Sequence, residues 1–245
     1  MADILTWNLE ELGNLATRKY GLAASTRLAV YLESVTKKIN IAAYHSLESR
    51  ELLKVLFEHI SEDQSYVYGF ELMFGIMTAN IDEETRDKSA QFHNNSWKAE
   101  AHVVACAYSI HAIIDIMAQV INCALDLKIV VNDVTINKVR KNVAEYHDLF
   151  NKLDELLDYD EYKYLLSFVN NQKHIFFVPV KYTFKMQIEE GEKAHGLKIP
   201  SFEYRGEPYP EKWSDDFVTT EFVKLKDKII EIGIEVNNIL KAELG

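Results

Sequence analysis

The sequence predicts a mainly α protein: a helical bundle around one long central helix, with a small β-hairpin appended before a C-terminal helix. Three observations carry this. Residues 97–127 contain neither Gly nor Pro and stay apolar over most of a helical circumference. All four prolines fall between His174 and the last helix, and no Gly occurs between Gly75 and Gly191, so the middle of the chain is free of helix breakers. From Val180 to Met186, and again at Phe202 and Tyr204, the apolar spacing switches from three or four residues to two.

Taken in order, residues 1–22 form a short, poorly patterned lead-in. Ser25 and Thr26 precede the helical stripe Leu28, Tyr31, Leu32, Val35 and Ile39. Ser49 is placed to cap a second helix carrying Leu52, Leu53, Leu56 and Ile60. Tyr66 to Met77 is dense in apolar residues and predicts a buried helix despite Gly69 and Gly75. Asp82 to Asn94 is polar, a connector or a solvated helical entry. Asn95 or Ser96 then caps the central helix, Trp97 to Leu127, of about eight to nine turns. On it Glu100, His111, Asp115, Asn122 and Asp126 share about a quarter of the circumference, facing either water or a polar site. Ile113, Met117, Val120 and Ile121 fall on the apolar side and are predicted core.

The stretch from Lys128 to Thr135 is β-branched enough for a short strand but predicts a loop. Ile136, Val139, Val143, Tyr146, Phe150, Leu153 and Leu157 repeat every three or four residues, the pattern of one surface helix. A helix from about Asp158 to His174 turns Tyr162, Leu165, Leu166 and Val169 to the core. Val180, Tyr182, Phe184 and Met186 alternate with polar residues as a strand. Gly191 to Gly196 turns the chain, Leu197 to Arg205 returns it, and Pro208 and Pro210 mark the exit. Ser214 caps a final helix whose seam is Val218, Phe222, Leu225, Ile229, Ile232, Val236 and Ile239. This divides a single domain, 1–245, into a bundle core at about 49–174, a hairpin at about 176–205 and a last helix at about 214–244.

The chain has 245 residues, 48% of them hydrophobic, which suffices for one large core. A formal net charge of −11 excludes a duplex-DNA binder that relies on a broad basic face, but leaves room for a local RNA or nucleotide site. The two cysteines, Cys106 and Cys123, lie about 25 Å apart if both sit on the central helix, beyond disulfide reach. Reduced thiols and a start without a basic and apolar leader predict a cytoplasmic protein. The central helix is long enough to cross a bilayer, but His102, His111, Asp115, Gln119 and Asn122 would sit in hydrocarbon, so no membrane is expected.

Phosphate loops, His-Glu-x-x-His, Cys-x-x-Cys and nucleophile elbows are absent, and the one Glu-x-x-His, Glu192 to His195, falls in the predicted turn. Ser167, Asn170 and His174 share one flank at the end of their helix, with Lys163 extending the strip and Lys173 adjacent. A His beside a Lys there can act as a general acid–base, or both can simply favour the helix dipole. His111 and Asp115, one turn apart, can hydrogen-bond or contribute two metal ligands. A third ligand is not identifiable, so no metal and no cofactor is expected. His102 sits on the apolar side as a satisfied core histidine.

A long central helix, a second helix and then a helix ending in Asn-x-x-Lys-His resembles the HEPN superfamily, over roughly Ser96 to His174. The resemblance implies a bundle of four or five helices. It also implies metal-independent RNA cleavage by an Arg-and-His motif shared across a homodimer, in a stress or phage-defence setting. Asn170 and His174 match the motif, and as implied catalytic residues they are joined by Lys173, His111, Asp115 and Asn122 as binding residues. The motif Arg is missing: Ser167, Phe168 and Val169 occupy its three possible places, which removes the group that would hold the phosphate. Two readings follow, an RNA- or nucleotide-handling protein or a non-enzymatic helical interaction protein. A homodimer is expected, through the seam of the last helix or through the helix ending at His174; the alternative is that the last helix closes the protomer's own bundle.

Overall fold

The structure, a computed structural model, describes residues 6–58, 60, 62–75, 82–185 and 193–245. Its elements are α1 (Leu9–Tyr20), α2 (Leu22–Lys54), α3 (Glu62–Phe74), α4 (Glu83–Ala124), α5 (Ile136–Asn142), α6 (His147–Asp158) and α7 (Asp160–His174), then β1 (Lys181–Phe184), β2 (His195–Ile199), β3 (Phe202–Tyr204), β4 (Glu207–Tyr209), β5 (Lys212–Trp213), α8 (Ser214–Asp216) and α9 (Phe222–Leu244). The protein is mainly α, with α4 as its long central helix and small antiparallel sheets before the last helix.

Several predicted boundaries move. The lead-in is a helix, α1, because the Asn8 side chain accepts from Glu11 N and opens it. Ser25 and Ser49 do not start helices. Their hydroxyls donate to Leu22 O and Ser46 O within a single 33-residue α2. Likewise α4 begins nearly four turns before Trp97. Asp82 accepts from Thr85 N at its start, and Asn95, within the helix, donates to Leu52 O. The polar run before Trp97 stays helical because Ser89 and Phe92 are buried on one face. On α3, Val67, Phe70 and Phe74 are exposed, so that helix is not buried all round; Met77 lies outside the described residues.

Two compact units form. The first comprises the described residues of Met1–Ile41, Tyr108–Ser167 and Glu221–Gly245. Ile113, Met117, Val120 and Ile121 are at most 1% exposed there, as predicted. The seam of α9 is buried as well, and α9 packs along α1 and α6 within this unit. The seam is therefore covered by the chain itself and offers no face to a twin helix. Trp7 and Asn8 dock on α9 through Asn237, which is 3% exposed: Trp7 Nε1 donates to Asn237 Oδ1, and Asn237 Nδ2 donates to Asn8 O and Glu11. Lys19 pairs with Glu243.

Also in this unit, the predicted helix 136–157 breaks at Val143–Tyr146 into α5 and α6. The apolar repeat runs on through the turn, but the buried face shifts to Leu149, Leu153 and Leu156. After α4, Asp126 and Lys128 take left-handed backbone conformations, φ 52° and 62°. The segment that follows is a loop with one 3-10 turn, Val131–Asp133, as predicted.

The second unit comprises the described residues of Ala42–Ala107 and Phe168–Thr220. Its sheet has the order β1-β2-β5, with Lys181 opposite Lys198 and Phe184 opposite His195. The predicted return strand is two strands. Ser201 and Pro200 interrupt it, and β3 turns instead to β4, which carries Pro208 on a two-stranded ribbon. The predicted turn from Gly191 and the strand end at Met186 fall partly outside the described residues. Phe168, fully buried, packs edge-on to Phe217 at 5.7 Å and near Phe202 at 6.1 Å, and Phe92 meets Tyr182 at 4.9 Å. Glu100 of α4 accepts from Val180 N at 2.6 Å and fixes the entry to β1.

Candidate functional site

The polar residues of α4 serve mainly as anchors. In the first unit Asn122 donates to Ile129 O at 3.0 Å and accepts from Ile129 N at 3.2 Å, closing the loop with the two left-handed residues. Gln119 donates to Val131 O on the same loop. His111 Nδ1 and Asp115 Oδ2 stand 3.3 Å apart, but not in hydrogen-bonding alignment. Asp115 is exposed, and Asp126 lies beyond the helix end, paired with Lys128.

In the second unit, His174 and Lys173 are exposed at the end of α7, and Asn170 is half-buried. The fully buried residue is its neighbour Asn171, whose Nδ2 donates to Glu203 O at 3.0 Å. Gln172 donates to Val178 O, so this helix end is pinned to the chain that follows it. Ser167, Phe168 and Val169, the three places open to a motif Arg, are at most 2% exposed and face the core.

The side chains that converge are elsewhere in this unit. A cleft of about 480 Å³ is bounded by the end of α2 (Ser49, Arg50, Glu51, Leu53, Lys54), by Phe57, and by Tyr182, Lys193, His195 and Asp215. The β1–β2 register sets Tyr182 and His195 on neighbouring strands, and Tyr182 OH meets His195 Nδ1 at 2.5 Å. The other ring nitrogen, Nε2, meets Ser65 Oγ of α3 at 2.9 Å. A neutral imidazole has one donor and one acceptor, so one hydroxyl donates to the ring and the ring donates to the other. Phe57 lies parallel to Tyr182 at 6.3 Å and packs on the His195 ring at 5.2 Å.

Gly69 lets α3 approach the sheet, since a Cβ there would meet the Phe184 ring at 2.8 Å. Lys193 pairs with Asp215 and stands over the Trp213 ring, at 5.3 Å from its centre. Burial, and then the Lys193 charge, push His195 below the ordinary imidazole range. Burial, and then Asp215, push the Tyr182 phenol up, which keeps it neutral.

Comparison with protein-family models, curated proteins and solved structures returns no match.

A neutral His held at both nitrogens beside a Lys and an exposed Arg can exchange a proton next to a bound anion. No cluster of three or more metal-ligating side chains occurs among the described residues. No local sequence pattern encodes this arrangement as a whole. Ser65 and His195 are 130 positions apart, and only strand register brings Tyr182 to the same ring. The available signal was the alternation that placed Tyr182 on the buried face of its strand.

Elsewhere in this unit, His102 is half-buried rather than a core histidine, because its ring meets a second histidine instead of packing into the core. Its Nδ1 lies 2.8 Å from His45 Nδ1. Cys106 donates to Ala42 O, and burial holds its thiol up at about 12, so it stays a protonated packing residue.

Proposed function

We propose that the protein handles a phosphorylated ligand of the RNA or nucleotide class in the cleft of the second unit. In this reading His195 is the acid–base and needs no metal. The observation that supports it is the His195 ring, held between Tyr182 and Ser65 and flanked in the cleft by Arg50, Lys54 and Lys193. With the proton on Nδ1, the ring donates to Tyr182 and Nε2 accepts. Ser65 Oγ then occupies the place that a substrate hydroxyl would take. Lys193 and Lys54 are paired with Asp215 and Glu51 of the same cleft, so the exposed Arg50, with the planar fork that suits a phosphate best, is the cation placed to offer it charge-assisted hydrogen bonds. This keeps the ligand class implied by the resemblance to HEPN proteins and moves the chemistry from His174 to His195.

The test is binding and cleavage of single-stranded RNA in chelator at moderate salt. His195→Gln is expected to abolish cleavage while anisotropy still reports binding, and His174→Gln is expected to leave both unchanged. Loss of cleavage in His174→Gln alone would return the chemistry to the end of α7. Absence of both binding and cleavage in the parent protein would remove the reading.

One observation favours a second reading, a non-enzymatic interaction protein. Ile175, Phe176 and Phe177 follow α7 in sequence and are each at least 50% exposed. Here the partner proposed is a second copy of the chain. Light scattering across a dilution series decides it: a constant 28.3 kDa particle excludes a stable homodimer.

A further inference from the structure

We infer that His45 and His102 form an open two-histidine site for a divalent transition ion of the Zn²⁺, Ni²⁺ and Cu²⁺ class. His45 belongs to α2 and His102 to α4, both within the second unit, and neither takes part in the cleft described above. Their rings face each other with Nδ1 to Nδ1 at 2.8 Å, centres 5.0 Å apart and planes tilted by 51°. At that separation one nitrogen carries the proton and the other supplies a lone pair. The shared proton thus sits where two good ligands converge, on two separate helices that already hold them in place. Both rings are half-buried and reachable from solvent. The Tyr44 ring stands edge-on to both, at 5.2 and 6.0 Å, and limits their rotation.

Replacing that proton by an ion engages both lone pairs. Imidazole–metal bonds of about 2.0–2.1 Å at a tetrahedral angle put the two nitrogens about 3.3 Å apart. The nitrogens must part by about half an ångström, and because ring centres 5.0 Å apart with nitrogens at 2.8 Å set the two lone pairs nearly head-on, each ring must also swing by about 35° to aim its lone pair at a tetrahedral ion. Glu48 lies one turn after His45 and its charge acts on that ring in the direction that favours a cation. Among the described residues no third His, Cys, Asp or Glu completes a cluster, so water fills the remaining positions. Two imidazoles and water suit the later first-row divalent ions and disfavour Mg²⁺ and Ca²⁺, which want oxygen. Such a site is dissociable, with open positions for an exogenous ligand.

The experiment is calorimetric titration of chelator-stripped protein with Zn²⁺ near neutral pH. One ion per chain is expected, with a dissociation constant of roughly micromolar order. His45→Gln and His102→Gln are each expected to weaken binding at least about tenfold, while His147→Gln, an exposed histidine of α6, leaves it unchanged. A second readout needs no variant: paramagnetic Ni²⁺ should broaden two histidine ring signals ahead of the other six of the eight. Zinc binding equal in the parent and the two variants overturns the inference, as does no binding up to about millimolar ion. Broadening spread evenly over all eight histidines does the same.

Discussion

Gly233 lies in the middle of α9, where Gly→Ala on an open helix face would stabilise by about 0.8–1.0 kcal/mol. Here the opposite sign is expected. A Cβ at this position would stand 2.3 Å from Trp7 Cδ2 and 2.4 Å from Cε2, against a carbon–carbon contact distance of about 3.5–4.0 Å. The ring would have to move by more than about 1 Å, yet its Nε1–H is held at 3.0 Å by Asn237. Overpacking of this kind costs about 1–3 kcal/mol, and loss of the hydrogen bond about 0.5–1.5 kcal/mol more. Set against the helix-propensity gain, Gly233→Ala should destabilise by about 2 kcal/mol, within roughly 0.5–3.5. Urea unfolding followed by circular dichroism reads this directly. The decisive comparison is a cycle with Trp7→Ala. Once the indole is gone, Gly233→Ala should become stabilising, by up to about 1 kcal/mol. If Gly233→Ala stabilises the parent protein, or if its effect is the same with and without Trp7, the ring does not rest on Gly233 and the reasoning fails.

Two further outcomes are expected. Asn122→Ala removes both hydrogen bonds to Ile129 and should cost about 1–2 kcal/mol; amide exchange should accelerate first at Ile129, and an unchanged rate there would mean the loop holds itself. His195 is held below its ordinary range by burial and Lys193, and His45 by burial and His102. The unfolded chain therefore binds more protons just below its own histidine pKa. The contribution of these groups is fully present above that value and is lost as pH falls through their folded values. Urea midpoints between about pH 8 and pH 5 should fall on acidification, and less steeply in His195→Gln; equal slopes would contradict a depressed His195.

The helical character and the buried faces were legible because apolar spacing survives whatever surrounds it. The seam from Val218 to Ile239 and the core residues Ile113 to Ile121 are the clearest cases. Helix boundaries were less legible. Ser25, Ser49 and Asn95 have the chemistry of caps, yet each sits within or against a continuous helix and satisfies its polar group on a backbone carbonyl. Conversely, the repeat from Ile136 to Leu157 hides a break, because a turn at Val143–Tyr146 happens to keep the spacing. Of the polar stripe predicted on α4, Asp126 falls beyond the helix end, and sequence does not say whether an amide faces a ligand or a loop; Asn122 faces Ile129. The His195 arrangement depends on strand register and on a helix far away in sequence, and no local pattern encodes either.

The docking of Trp7, Asn8 and Glu11 on Asn237 has a consequence for how the chain is made. These partners are separated by as many as 230 positions. On a ribosome adding about 5–20 residues per second, α1 emerges roughly 10–40 s before the helix that covers it. Through that interval the Leu12, Leu15 and Ala16 face has no α9 to pack against, and the first unit, assembled from three separate stretches of chain, cannot close. Nascent chains stalled before Phe222 should therefore recruit a holding chaperone at α1, and release from it should coincide with emergence of the last helix.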